Sequence, residues 1–128
     1  MPTANRWLLD LLAPLVLYLP TWPGCFPNKP GEPLKPLKVG ISRELEALLP
    51  AGAEITVADL RMILKRFTNT DQYQAALATP GAQRHGIDGQ PVGPVLADHA
   101  RFALITLNAK LRRRTEMRTA AQKSPIAP

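Results

Sequence analysis

Residues 56–68 read TVADLRMILKRFT, and the periodicity of this stretch decides the fold class. Val57, Leu60, Ile63, Leu64 and Phe67 recur at three- and four-residue spacing, which gives a helix one apolar stripe. Thr56, with Asp59 three residues later, forms a capping-box-like start. Arg61 and Lys65 lie four apart, off the stripe, on a face shared with Thr68. Like charges so placed repel by roughly a few tenths of a kcal/mol unless an anion lies between them.

Toward the C-terminus, Asn69-Thr70-Asp71 breaks this helix and caps a short one over 71–78 that displays Tyr73 and Leu77. Pro80-Gly81 stops it, and residues 83–92 form two extended arms around Asp88-Gly89, a dipeptide suited to a tight hairpin turn. A last helix runs from Ala97 toward Met117, with Ala100, Ala103, Leu104, Leu107 and Leu111 as its inward stripe and a basic far end at Lys110, Arg112, Arg113, Arg114 and Arg118. Residues 119–128 lack periodicity and are expected to be a disordered tail.

Toward the N-terminus, Ser42 is placed to cap a helix with Leu45, Leu48 and Leu49 on one face, ended by Pro50-Ala51-Gly52. Pro20 to Pro36 is too dense in proline for a helix and reads as an extended strap. Trp7 to Pro20 is apolar enough for a buried helix. Arg6 before it and Gly24-Cys25 after it resemble a lipoprotein signal, but Asp10, Pro14, Pro20 and Trp22-Pro23 count against one. The stretch is also shorter than a membrane span of about 20 residues. The resulting expectation is a mainly α fold with a small β-hairpin (α+β). It is divided into an apolar N-terminal helix over 1–21, a domain over 22–118 and the tail over 119–128. A chain of 128 residues has room for one such core.

Charge narrows the function. The net charge of +6 is segregated: residues 1–54 hold five basic and five acidic residues, whereas residues 55–128 hold eleven and five. Cations gathered in one part of a chain suit a polyanion, and a solvated basic surface is the bland alternative. One cysteine, Cys25, excludes an internal disulfide and a multi-cysteine zinc site, in keeping with the cytoplasm. The sequence has no phosphate-binding glycine loop, zinc spacing or nucleophile elbow, so no enzyme, cofactor, metal or small-molecule substrate is expected. His85 and His99 read as structural.

Three ordered segments resemble the ProQ/FinO family of bacterial RNA chaperones. Trp22-Pro23-Gly24-Cys25-Phe26 followed by Pro36-Leu37-Lys38-Val39-Gly40-Ile41 is similar to its aromatic-Pro-x-Cys-Phe and Pro-Leu-Lys-Ile-Gly-Ile pattern. Leu60-Arg61 through Lys65-Arg66-Phe67-Thr68 with Tyr73 resembles its Leu-Arg, basic, aromatic, Thr and Tyr helix. Gly81-Ala82-Gln83-Arg84, Asp88-Gly89-Gln90-Pro91-Val92-Gly93 and His99-Ala100 resemble its third run. The resemblance covers roughly residues 22–103 and departs from the family at Gln72, Val57 and Leu96, where an arginine, a lysine and a capping Thr or Asp are usual.

The resemblance implies an RNA chaperone that binds the base of a terminator-type hairpin and its single-stranded 3′ tail, with small RNAs and mRNA 3′ ends as partners. It assigns RNA contact to Lys38, Arg61, Lys65, Tyr73 and Arg84. The start of the helix at Thr56 adds N–H groups that can seat a phosphate. Arg66 and the Arg112-Arg113-Arg114 run are auxiliary contacts or a solvated helix end, and the N-terminal helix is a candidate homo-oligomer surface. Two other classes stay open at this stage: a helical DNA-binding regulator, and a lipid-anchored interaction module using the N-terminal run and Cys25.

Overall fold

The computed structural model describes residues 2–123. Among them, the elements follow in the order α1 (Arg6–Val16), α2 (Ile41–Leu48), α3 (Val57–Thr68), α4 (Asp71–Ala78), β1 (Gln83–His85), β2 (Pro91–Pro94) and α5 (Ala97–Lys123). The strands form one antiparallel pair, so the architecture is the mainly helical α+β fold that the periodicity implied.

α3 is the central element. Leu60, Leu64 and Phe67 are buried, while Val57 at the head of the stripe is exposed. The capping box closes both ways: the Thr56 hydroxyl accepts from the Asp59 N–H at 3.1 Å, and the Asp59 carboxylate accepts from the Thr56 N–H at 3.0 Å. α1 is capped by Asn5, whose side chain accepts from the Leu8 N–H at 2.9 Å. Pro14 lies inside α1 and brings no N–H for the carbonyl of Asp10, and the helix ends at Val16, short of the expected residue 21. Leu8, Leu12, Leu15 and Val16 enter the same cluster as Leu45, Leu60, Leu64 and Phe67. The boundary expected at residue 21 therefore cuts through one core, and α1 is a wall of it.

The proline-rich strap is tied down at both ends. Ala4 N–H donates to Glu32 O at 2.8 Å and Gly31 N–H to Ala4 O at 2.8 Å, fastening the strap to the residues before α1. At its far end, His85 N–H donates to Pro36 O at 2.8 Å and Lys38 N–H to His85 O at 2.9 Å, so the strap lies parallel to β1 at this point. α2 then begins at Ile41 with Gly40 as its N-cap, not at Ser42 as expected. Gly40 takes φ 83°, a left-handed conformation cheap for glycine, and turns the chain into the helix earlier.

α5 packs on α4; Ala103 is buried and Ala100 and Leu107 are half-buried, whereas Leu104 and Leu111, expected on the inward stripe, are exposed. Residues 111–121 are all exposed, so the basic end of the helix faces solvent, with Arg114 tying it to Asp71 at the head of α4. α5 continues to Lys123, which corrects the disordered tail expected from 119, because Thr119-Ala120-Ala121-Gln122-Lys123 contains no helix breaker. Residues 124–128 of that tail lie outside the described residues.

The strap and the hairpin meet at backbone distance. The hairpin turn has Gly89 at φ 83°, with the Gln90 N–H donating to the Asp88 side chain at 3.0 Å. A Cβ placed on Gly24 would stand 2.4 Å from the Asp88 carbonyl oxygen, so only a residue without a side chain fits. Gly24→Ala is therefore expected to lower stability by about 1–3 kcal/mol, read as a lower midpoint in urea. Gly31→Ala, whose Cβ would meet nothing within 4 Å, tests positive-φ strain alone and should cost less.

Candidate functional site

A cavity of about 400 Å³ opens between the end of the strap, the start of α2, the outer face of α3, α4 and β1. The strap brings Lys38 to it. α3 brings Arg61, Leu64, Lys65 and Thr68 at the spacing of one helix face, α4 brings Tyr73, and β1 brings Arg84. Five of the six residues expected to contact RNA thus line one cavity: Lys38, Arg61, Lys65, Tyr73 and Arg84.

Thr56 is the exception. It sits at the head of α3, outside the cavity lining, and its hydroxyl and N–H are both engaged by Asp59. The Thr56 hydrogen bonds hold the Asp59 carboxyl below the usual carboxylate range, so a negative charge already occupies this helix start. The donors expected to seat a phosphate there are thus engaged by Asp59, and the helix start that borders the cavity is a different one. The N-terminus of α2 faces the cavity through Gly40, Ile41 and Ser42, and Gly40 provides no side-chain cap. Of its first-turn N–H groups, Ile41 donates to Lys38 O and Arg43 to Gly40 O, each at 3.2 Å, while Ser42 N–H makes no hydrogen bond among the described residues and, with the helix dipole, suits an anion. Placing the cap at Ser42 hid this feature; the signal was Gly40 in the Lys38-Val39-Gly40-Ile41 run.

Tyr73 is a core residue, 3% exposed. Its ring packs against Phe67 at 5.5 Å between centroids, and Phe67 meets Phe26 edge-on at 5.6 Å. No ring face is left for stacking on a base, which corrects that part of its expected role. Its hydroxyl oxygen accepts the Leu37 N–H at 2.9 Å, leaving the O–H free to donate. Burial raises the Tyr73 pKa, against the lowering effect of the Leu37 hydrogen bond and the Arg84 charge, so the group stays a neutral donor.

The cations differ in their freedom. Arg84 donates to Leu37 O at 2.8 Å and lies 3.1 Å from His99 Nδ1, which fixes its guanidinium at the cavity wall. Lys38 pairs with Glu44 at 3.2 Å and Arg61 with Glu46 at 2.9 Å, both carboxylates coming from α2. Lys65 makes no ion pair among the described residues. Arg66 and Arg114 line a separate groove beside Trp7, and Arg114 pairs with Asp71. Arg112 and Arg113 lie on the basic end of α5, exposed and away from the cavity. Cys25 is a core side chain, 1% exposed, with its pKa pushed up to about 12 mainly by burial; in the folded chain this thiol is not open to acylation.

Several known proteins resemble this chain. The family model described as ProQ/FINO family matches residues 12–123. The RNA chaperone ProQ of Shewanella oneidensis is 33% identical over 121 residues, covering 94% of this chain and 55% of that protein. The RNA chaperone ProQ of Idiomarina loihiensis is 34% identical over 103 residues, covering 80% and 48%. The chain thus spans about half the length of these relatives. Among solved structures, a FinO-like RNA chaperone from Neisseria meningitidis matches with TM-score 0.51 and 25% identity over 65% of this chain and 66% of that one. A ProQ homolog from Legionella pneumophila shares the fold, with TM-score 0.62 and 22% identity over 87% and 88%.

Tyr73→Phe should strand the buried Leu37 N–H and cost about 1–3 kcal/mol of stability, whereas exposed Lys65→Ala should cost less than about 0.5 kcal/mol. Urea unfolding of both variants checks this. The raised pKa values of Tyr73 and Cys25 also predict alkaline weakening. Well below the ordinary thiol value of 9.0 both groups are neutral in the folded and unfolded chain; as pH approaches and passes that value the unfolded chain ionises first, so stability falls as pH climbs toward about 12. Tyr73→Phe should show a shallower fall.

Proposed function

The chain belongs to the ProQ/FINO family, and on that premise we propose that it is a non-enzymatic RNA-binding protein, an RNA chaperone acting in the cytoplasm. It grips the base of a terminator-type hairpin and its single-stranded 3′ tail, takes small RNAs and mRNA 3′ ends as partners, and promotes pairing between RNAs. The observation that carries this reading is the convergence on one cavity of Lys38, Arg61, Lys65 and Arg84 with the Tyr73 hydroxyl and the start of α2. Cations from the strap, α3 and β1 neutralise phosphates entering from different directions, which a duplex-to-single-strand junction presents and a uniform duplex does not. The relatives named RNA chaperones support RNA as the partner.

In this reading the phosphates replace Glu44 and Glu46 as partners of Lys38 and Arg61, while Lys65 engages without an exchange. Arg84 holds the chain end against Tyr73, whose O–H donates to the terminal ribose or phosphate. Base recognition by stacking is absent from this cavity, so selectivity comes from the shape of the junction and the chemistry of the chain end. No helix among the described residues is long and apolar enough to cross a membrane, and the burial of Cys25 leaves the lipid-anchored alternative without an attachment point in this fold.

A hairpin with a short 3′ uridine tail should bind at least about tenfold (~1.4 kcal/mol) tighter than the same hairpin with the tail removed or the 3′ end phosphorylated. Fluorescence anisotropy measures this. Lys65→Ala should weaken the binding. Glu46→Gln, which releases Arg61, should tighten it by about two- to fivefold. Equal affinity for all three RNAs and for a matched DNA hairpin would return the protein to the class of general basic binders.

A further inference from the structure

Trp7 lies in the first turn of α1, and it is 56% exposed although Leu8 beside it is fully buried. It lines a groove of about 490 Å³ together with Arg66, Asn69, Thr70, Asp71, Gln72 and Arg114. Arg66 follows Lys65 directly on α3 and Gln72 directly precedes Tyr73. Consecutive residues thus line the cavity described above and this groove, on neighbouring faces of the same two helices.

We propose that this groove is a second RNA subsite that holds one unpaired nucleotide, with its base stacked on Trp7 and its phosphate on Arg66. The inference rests on the RNA-binding reading and adds to it a site with different chemistry. The first cavity has charge but no aromatic face, because the Tyr73 ring is buried. The groove supplies what the cavity lacks. An exposed indole is the largest flat surface a side chain offers, and base–aromatic stacking tolerates any base because every base has a π-face.

Two further features suit a nucleotide rather than a peptide or a lipid. Arg66 makes no ion pair among the described residues, so its charge is available to a phosphate without an exchange. The pairing of Arg114 with Asp71 leaves the second wall nearly neutral. The side-chain amides of Asn69 and Gln72 make no hydrogen bond among the described residues, and each carries both a donor and an acceptor. Such groups match the mixed edges of a base once it leaves the duplex. The base must be unpaired, because in A-form RNA the faces are stacked inside the helix and only the edges at the grooves are open.

The test uses the full chain labelled with 5-fluorotryptophan, with Trp7→Phe assigning the two tryptophan resonances. Two RNAs are compared: the tailed hairpin trimmed to its paired stem and 3′ tail, and the same hairpin with an added unpaired extension of several nucleotides. Anisotropy reports binding of each RNA, and the Trp7 resonance reports the groove. The expected result is a shift of the Trp7 signal with the extended RNA. Trp7→Ala or Arg66→Ala should weaken that RNA at least about fivefold (about 1 kcal/mol), more than either weakens the trimmed one. Trp7→Phe should retain more affinity than Trp7→Ala. If the extended RNA binds but the Trp7 signal stays still and the Trp7→Ala losses are equal for the two RNAs, the subsite is overturned while the first cavity stands. If the unmodified chain binds neither RNA, the RNA-binding reading itself falls.

Discussion

The peptide groups around Leu37 hold the site together. The Leu37 N–H donates to the Tyr73 hydroxyl at 2.9 Å and the Leu37 carbonyl accepts from Arg84 at 2.8 Å. On either side, Pro36 O and Lys38 N are paired with the backbone of His85. One residue of an irregular strap is thereby fixed to α4 and to β1 at once. Leu37 is buried, so each of these polar groups would carry a desolvation cost if left unpaired. The same bonds that satisfy the backbone set the positions of Lys38, Tyr73 and Arg84, so the stability of the strap and the geometry of the cavity have a common source.

Much of this was legible in the residues themselves. The Thr56–Asp59 box, the Leu60, Leu64 and Phe67 stripe, the Asp71–Ala78 helix and the turn at Asp88-Gly89 are local patterns, and local patterns survive tertiary packing when they agree with it. Arg61 and Lys65 could be placed on an open helix face because they lay off the stripe, whereas Lys38 and Arg84 were named only through the family resemblance. What stayed hidden depends on partners distant in sequence. Tyr73 gives no local sign that Phe67 and Leu37 enclose it. Ser42 is a good cap by composition, yet the strap delivers the chain at Gly40 in a left-handed turn. The need for glycine at position 24 comes from Asp88, which no window around residue 24 contains.

On the proposed RNA-binding reading, the placement of the acidic residues adds a charge threshold to the selectivity set by junction shape and chain end. Glu44 and Glu46 come from the short α2 and each engages a cation that would otherwise repel its neighbours. The pairs are solvent-exposed and therefore weak, so a dense row of phosphates can displace them while an isolated carboxylate gains little by doing so. A helix whose N-terminus suits an anion thus also carries the carboxylates that anion must outcompete. On that reading the exchange moderates affinity and sharpens a preference for highly charged polymers.

The long reach of the bonds at Leu37 bears on the order in which the chain folds. The bond to Tyr73 closes a separation of 36 residues and the bond to Arg84 one of 47, whereas the helices need only local contacts. Loop closure is an entropic cost that must be met before such bonds return anything. The docking of α1 on α3 closes a comparable separation, so each helix can form locally while the core waits on long-range closure, and the cavity exists only once the hairpin has docked on the strap as well. During synthesis, the chain gains its grip only after Arg84 and the turn at Asp88 and Gly89 have emerged. A transient opening of the hairpin would release a bound ligand while leaving most of the hydrophobic core intact.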